Sequence, residues 1–360
     1  MTRRALLAGL VSPPTRPAVA FHYSAHFSAR EAAWYSGFEI LVTGGILTPE
    51  QSGILRGGGC RLVAYEWSSA FYPGDWVSAA EPWQRRVRTD WLLTRVPVTG
   101  GAAENGKPAQ WYDFANRDLV AARADYLAGV LIRTGYDGFF FDTLGWEQLP
   151  PLVQASFIER HPGVDYNVCQ GEFLSALRKR LPVGKLIFTN QGFRHSESFL
   201  PHADLDLTES YFTYVVGAET RFRPWHDPAK PWDSIRTPMI ELVGAAERKF
   251  PAVRFVHVNY AYGASPRAAL YSYAAAKLFG HESYLIVPAS AQAEEHAVYR
   301  SSLGRPLTAS FEEDVSAGAT WRRFERGTVA ILSGPRPFAI PGTGLVLATP
   351  RMGYLFPSGE

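Results

Sequence analysis

The chain has 360 residues, 46% of them hydrophobic, with 36 Lys and Arg against 34 Asp and Glu for a formal charge of +2. Such a composition buries a sizeable core, which excludes global disorder, and the near-neutral charge excludes electrostatic capture of nucleic acid. Cys60 and Cys169, the two cysteines, form neither a metal-ligand spacing nor a disulfide framework.

Residues 1–17 open with "MTRRALLAGLV", a basic start and a short apolar run without an A-x-A cleavage site or a full hydrophobic region. They form a tail, either a remnant export signal or a disordered start, and leave the compartment open between cytoplasmic and exported. No segment reaches the roughly 20 apolar residues of a membrane span. "AVAFHYS" (18–24) is the first strand-like run, followed by a helix with Ser28 and Glu31 in capping-box spacing. "FEILVTG" (38–44) is the second strand, and Thr48, Pro49 and Gln51 then supply cap, first-turn proline and box partner for a second helix. "CRLVAYEW" (60–67) is the third strand. Residues 68–115, aromatic and Gly-rich, interrupt the rhythm, and insertions of this kind in barrels shape the binding face.

"NRDLVAARADYLAGVLIRTG" predicts a helix with Val120, Ala124, Leu127 and Leu131 on one stripe and Gly135 as its stop. "GYDGFFFDTLGW" (135–146) is the fourth strand, an apolar run of the kind buried on both faces of a parallel sheet. A carboxylate left unpaired inside that layer would be costly, so Asp142 belongs where the strand emerges. After the helix "GEFLSALRKRLPVG" come "KLIFTNQG" (185–192), "ADLDLTESYF" (203–212) and "AVRFVHVNYAYG" (252–263). Ser265 and Pro266 open a helix to Gly280, and "ESYLIVP" (282–288) is the eighth strand. Eight strands in βα rhythm predict an α/β fold, a (β/α)8 TIM barrel over 18–305. From 306 to 360, short runs split by Gly and Pro predict a small C-terminal antiparallel β appendage.

Barrel active sites lie at the C-terminal ends of the strands. The residues there include Tyr23, Glu66, Trp67, Asp142, Asn190, Gln191, Glu209, Tyr211, Asn259 and Tyr260, with Trp146 just beyond the fourth strand. Amides and carboxylates pair with sugar hydroxyls, and aromatics cover apolar ring faces, so this inventory suits a carbohydrate. Glycosidic cleavage needs two opposed carboxylates, one giving a proton to the leaving oxygen and one attacking the anomeric carbon or activating water.

"GYDGFFFDTLG", "FTNQG" and "DLDLTES" resemble the barrel of glycoside hydrolase family 114 and its hypothetical glycosyl hydrolase relatives, best over residues 110–215. "WYDFANRD" resembles the segment before that family's fourth strand, and "WRRFERGTVAIL" the C-terminal strand pair of the hypothetical hydrolases. The resemblance implies endo-hydrolysis of α-1,4-linked galactosamine polymers, with Asp142 and Glu209 as the catalytic pair. By analogy with retaining α-glycosidase barrels, Asp142 is the nucleophile and Glu209 the acid/base. Tyr23, Glu66, Trp67, Trp146, Asn190, Gln191, Tyr211, Asn259 and Tyr260 are expected substrate contacts. Family members often carry a second acid shortly after the fourth-strand Asp, whereas this chain has Leu144, Gly145 and Trp146 there, which puts the sugar in doubt.

Asp137, at the start of its strand, is expected to be a structural cap. His22 and His26 are four apart, but His22 lies on a strand, so they form no helical metal pair, and His257 is expected to be a core histidine. No metal and no cofactor is called for. A carbohydrate is the expected partner, with no nucleic acid and the oligomeric state open. Two other readings compete: a carbohydrate-binding barrel that has lost catalysis, and a metal-dependent deacetylase, which would need three converging His or Asp ligands.

Overall fold

A computed structural model describes residues 19–23, 26–71, 81–99, 108–263, 265–286, 293–349 and 352–357. The expected tail, 1–17, and parts of the 68–115 insertion lie outside them. Eight parallel strands follow one another around one sheet in chain order. They are β1 (Val19–His22), β2 (Ile40–Thr43), β3 (Arg61–Trp67), β4 (Gly138–Asp142), β5 (Leu186–Asn190), β6 (Leu205–Glu209), β7 (Arg254–Tyr260) and β8 (Glu282–Ile286). At the seam β8 meets β1, where the rings of Phe21 and Tyr284 stand 6.3 Å apart, giving a nearly closed barrel.

The phenylalanine triplet shows how the strands are buried on both faces. Phe140 points inward and meets Phe21 and Phe188 at 5.7 and 5.0 Å, forming the aromatic centre of the barrel. Phe141 points outward to Phe173, 5.8 Å away on the helix Tyr166–Arg180. Two glycines around this strand serve different needs. Gly135 adopts φ 70° to end the preceding helix, Arg117–Thr134. Gly138 lies so close to β5 that a Cβ there would sit 2.3 Å from the Leu186 carbonyl oxygen. Asp137 accepts a bond from the Leu62 backbone N at 3.0 Å and pairs with Lys185 at 3.2 Å, a brace at the foot of the strand.

The helices of the outer ring are α1 (Ala29–Tyr35), α2 (Pro49–Gly57), α3 (Arg117–Thr134), α4 (Pro151–Arg160), α5 (Tyr166–Arg180), α6 (Gly244–Lys249) and α7 (Pro266–Phe279). Ser28 and Glu31 form the expected capping box on α1, and Thr48 caps α2. Sequence patterning missed α4, which starts from two prolines, and the hairpin Thr213–Val216 with Glu219–Phe222. The insertion after β3 packs Trp83 against Tyr126 of α3 at 5.0 Å.

The C-terminal appendage is an antiparallel sheet of β9 (Glu312–Asp314), β10 (Ala319–Phe324), β11 (Gly327–Leu332) and β12 (Met352–Pro357). One face joins the main core through Phe324, Val329 and Ile331, and the other buries Trp321, Ala330, Leu332 and Leu347 in a small core of its own. Gly353 lets β12 lie against α7, since a Cβ there would come within 2.6 Å of the Tyr271 Cα. No helix among the described residues is long and apolar enough to cross a membrane.

Candidate active site

Side chains alternate across a strand, so register decides which strand-end residues enter the barrel mouth. Trp67 pairs with Asp142, and Asn190 with Leu207, two residues before Glu209 on the same face. Above the phenylalanine layer, Tyr65 meets Phe140 at 5.6 Å and Tyr23 at 5.4 Å. Over these rings Asp142, Asn190, Glu209 and Tyr260 form one connected group.

Asn190 is the hub of that group. Its Nδ2 donates to Asp142 Oδ1 and to Glu209 Oε2, each at 2.7 Å. The two carboxylate oxygens are thus separated by no more than twice that distance. Nδ2 has two hydrogens and serves one acceptor with each, whereas a flipped amide would set an oxygen against both carboxylates. Asp142 also accepts from the Tyr65 hydroxyl on Oδ2 and from the Thr143 backbone N at 2.7 Å on Oδ1. Glu209 Oε1 accepts from the Tyr260 hydroxyl at 2.6 Å. Burial, with Tyr23 and the Glu209 carboxylate alongside, pushes the Tyr260 hydroxyl well above its ordinary range. It therefore remains a donor. Both carboxylates are half-buried and open to the mouth, while Asn190 is 5% exposed.

The backbone marks the same place. Among the described residues, the non-glycine positions with positive φ are Thr143 (57°), Gln191 (56°) and Ser210 (58°). Each directly follows a member of the group: Asp142, Asn190 and Glu209. For a β-branched residue such as Thr143 that conformation is costly and persists only where its surroundings enforce it. The turn after Asn190 is enforced by Asp206, whose carboxylate accepts from Gly192 N at 2.8 Å, Phe193 N at 2.9 Å and Thr189 Oγ1 at 2.6 Å. A Cβ on Gly192 would lie 2.9 Å from Asp206 Oδ1, so glycine permits the approach. Burial pushes Asp206 up to about 7 against these donors.

Two expected substrate contacts lie on the outer face of the barrel instead. Glu66 alternates with the inward Tyr65 and Trp67, is fully buried, and pairs with the buried Arg123 of α3 at 2.8 Å. Arg123 also donates to the Trp67 carbonyl at 2.5 Å and stacks 4.0 Å above the Tyr112 ring. Asn259 is buried too, and its Oδ1 accepts from Phe212 N at 2.9 Å and Thr213 N at 3.1 Å, fixing the loop after β6. His257 lies buried on the same outer face, bonded to Thr208 and, at 2.9 Å, to His281. His22 bonds the His26 carbonyl at 3.0 Å, and burial lowers its pKa.

Of the remaining expected contacts, Gln191 accepts from Arg194 Nε at 2.6 Å and Tyr211 packs edge-on to Phe193 at 5.9 Å. Trp146 is half-buried against Phe157 and Tyr166. Sequence reasoning missed Tyr65, although its two-residue spacing from Trp67 was a usable signal. It also missed Glu147, an acid shortly after Asp142, whose Oε2 lies 2.8 Å from His195 Nε2. Asn167 Oδ1 accepts from Trp146 N at 2.8 Å, which turns its Nδ2 toward His195 Nδ1 at 3.2 Å. Nδ1 is thereby the acceptor, and Nε2 carries the hydrogen to Glu147. Among the described residues no group of three or more His, Cys, Asp or Glu could hold a metal ion.

No family model and no curated protein matches the chain. Solved structures do. The glycoside hydrolase domain of PelA from Pseudomonas aeruginosa is 20% identical, covering 76% of this chain and 95% of that one, with a TM-score of 0.55. Cyclic α-maltosyl-(1→6)-maltose hydrolase from Arthrobacter globiformis, in its ligand-free form, is 14% identical over 91% of this chain and 87% of that one, with a TM-score of 0.51. At these identities what is shared is the fold, a barrel found in glycoside hydrolases of more than one kind, and family 114 is not singled out.

Proposed function

We propose that the protein is a retaining glycoside hydrolase acting on a polysaccharide, with Asp142 as nucleophile and Glu209 as general acid and base. The observation that carries this reading is the single Asn190 amide nitrogen bonded to both carboxylates, 2.7 Å from each. A shared nitrogen keeps the two bonded oxygens no further apart than twice that distance, which supports the close pairing of retaining enzymes, about 5–5.5 Å, over the roughly 6.5–9.5 Å that leaves room for an inverting water. Asp142 is firmly oriented, with Tyr65, Asn190 and Thr143 N all donating to it. A nucleophile needs that fixed line of attack on the anomeric carbon. Glu209 then gives its proton to the leaving oxygen, and on the return step takes one from the water that releases the sugar. Tyr23, Trp146 and Tyr211, each partly exposed, offer apolar faces for sugar rings, whereas Trp67 is 5% exposed and belongs to the core.

The likeness to glycoside hydrolase barrels and the sequence resemblance to family 114 support the same class, and the latter makes galactosamine-containing polymers the first substrates to try. The test is hydrolysis of a panel of acetylated and deacetylated amino-sugar polymers and neutral α-glucans by wild type and Asp142→Asn. Reducing ends released by wild type and not by a folded Asp142→Asn support the reading. Equal release by both would overturn it.

A further inference from the structure

A pocket with both polar and apolar walls lies at the seam between the barrel and the C-terminal sheet. It has a volume of ≈ 340 Å³ and is walled by the 225–236 segment on one side and the β9–β10 turn and the end of β11 on the other. That volume is within the range of small-molecule sites. Trp225, 2% exposed, is packed between Phe279 at 5.5 Å and Phe311 at 5.6 Å. Phe279 is the last residue of α7, a 14-residue helix that begins just after the rim residue Tyr260. A helix of that length is about 20 Å long, which sets the Phe279 end of the pocket well away from the rim.

Its polar groups are incompletely used. Trp225 Nε1 and His226 Nδ1 are buried, and neither has a hydrogen-bond partner among the described residues. Buried polar atoms are nearly always satisfied, so two orphans lining one cavity point to a ligand that satisfies them. The opposite wall supplies acceptors. Glu313 pairs with Arg236 through two bonds, at 3.1 and 2.7 Å, and Asp314 Oδ1 accepts from Ser316 Oγ at 2.7 Å and Ala317 N at 2.9 Å. Carboxylate oxygens accept more than one bond, so lone pairs remain. One guanidinium against two carboxylates disfavours an anion, and the guanidinium disfavours a cation. A neutral ligand whose groups both donate and accept fits this set, and hydroxyls do both.

We propose that this pocket is a second carbohydrate site, binding a short neutral stretch of glycan and tethering the polymer while the rim acts on it. The tethering role rests on the glycosidase reading, whereas the binding can be tested without turnover. Hydrogen exchange of the full chain is measured with and without two probes, maltoheptaose and a hexamer of N-acetylgalactosamine, at up to about 10 mM, where weak sites of millimolar Kd fill. At least one probe should slow exchange in segments 223–236 and 313–320. Ser333→Trp, which fills the pocket, and His226→Ala should each weaken that protection at least several-fold, with cleavage of a short substrate at the rim unchanged. Protection confined to the rim loops at 142–147, 190–195 and 209–211, absence of protection with both probes, or protection unaltered in both variants would overturn the proposal. Protection at the seam without hydrolysis of any glycan would keep the binding site and remove the glycosidase reading.

Discussion

The two faces of the same barrel strands carry similar side chains with opposite fates. On the inner face Asp142 and Glu209 are half-buried, share one amide, and keep access to the mouth. On the outer face Glu66, Asp206 and Asn259 are buried, and their partners include Arg123, the Thr189 hydroxyl and backbone N–H groups of the next loop. A carboxylate in a barrel strand is therefore not by itself a sign of chemistry. The outer set holds the loops in place, and the inner set is what those loops hold.

Substitution should separate the two faces, and the largest effect belongs inside. Asp142→Asn should lower kcat by about 10⁴-fold, as loss of a covalent catalyst does, with an unchanged urea midpoint. Glu66→Leu should do the reverse. It leaves Arg123 charged, buried and unpaired, so stability measured by urea unfolding should fall by about 3–5 kcal/mol, while KM of the folded fraction stays close to wild type. A stable Glu66→Leu with a raised KM would move Glu66 back into the site. Asn190→Ala should reduce kcat by about 10²-fold, the scale of one lost preorganised donor, because the carboxylates lose their shared tether.

The smallest effect is a pH dependence of stability. Asp206 has a folded-state pKa of about 7 against an ordinary 3.8, raised by burial. Between those values the folded chain holds a proton that the unfolded chain has lost, so this group's contribution is full below pH ~4 and lost as pH rises through ~7. Urea midpoints of wild type should therefore fall relative to Asp206→Asn between pH 5 and pH 7.5. Parallel trends in the two proteins would show that Asp206 does not titrate there.

The fold was legible because parallel barrel strands are short apolar runs separated by helical patterns, and all eight runs became strands. Asp142, Asn190 and Glu209 were legible as polar residues closing such runs. Glu66 and Asn259 were misread by the same rule, since "end of the strand" does not say which face a residue takes. Register across the sheet settles that, and one sequence shows it only where a neighbour such as Tyr65 is already placed. The positive φ at Thr143, Gln191 and Ser210 could not be read from residues that rarely adopt it. Glu147 and His195 meet through loops after different strands, a proximity that no local spacing encodes.

The proposed double displacement by two carboxylates joined through Asn190 fixes the stereochemistry of the product. The most direct measurement is proton NMR of the first sugar product released from a substrate of known anomeric configuration, recorded before mutarotation. The new reducing end should have the configuration of the bond that was cleaved. A product of inverted configuration would contradict it, because a water would then have to fit between carboxylates that share a single amide nitrogen.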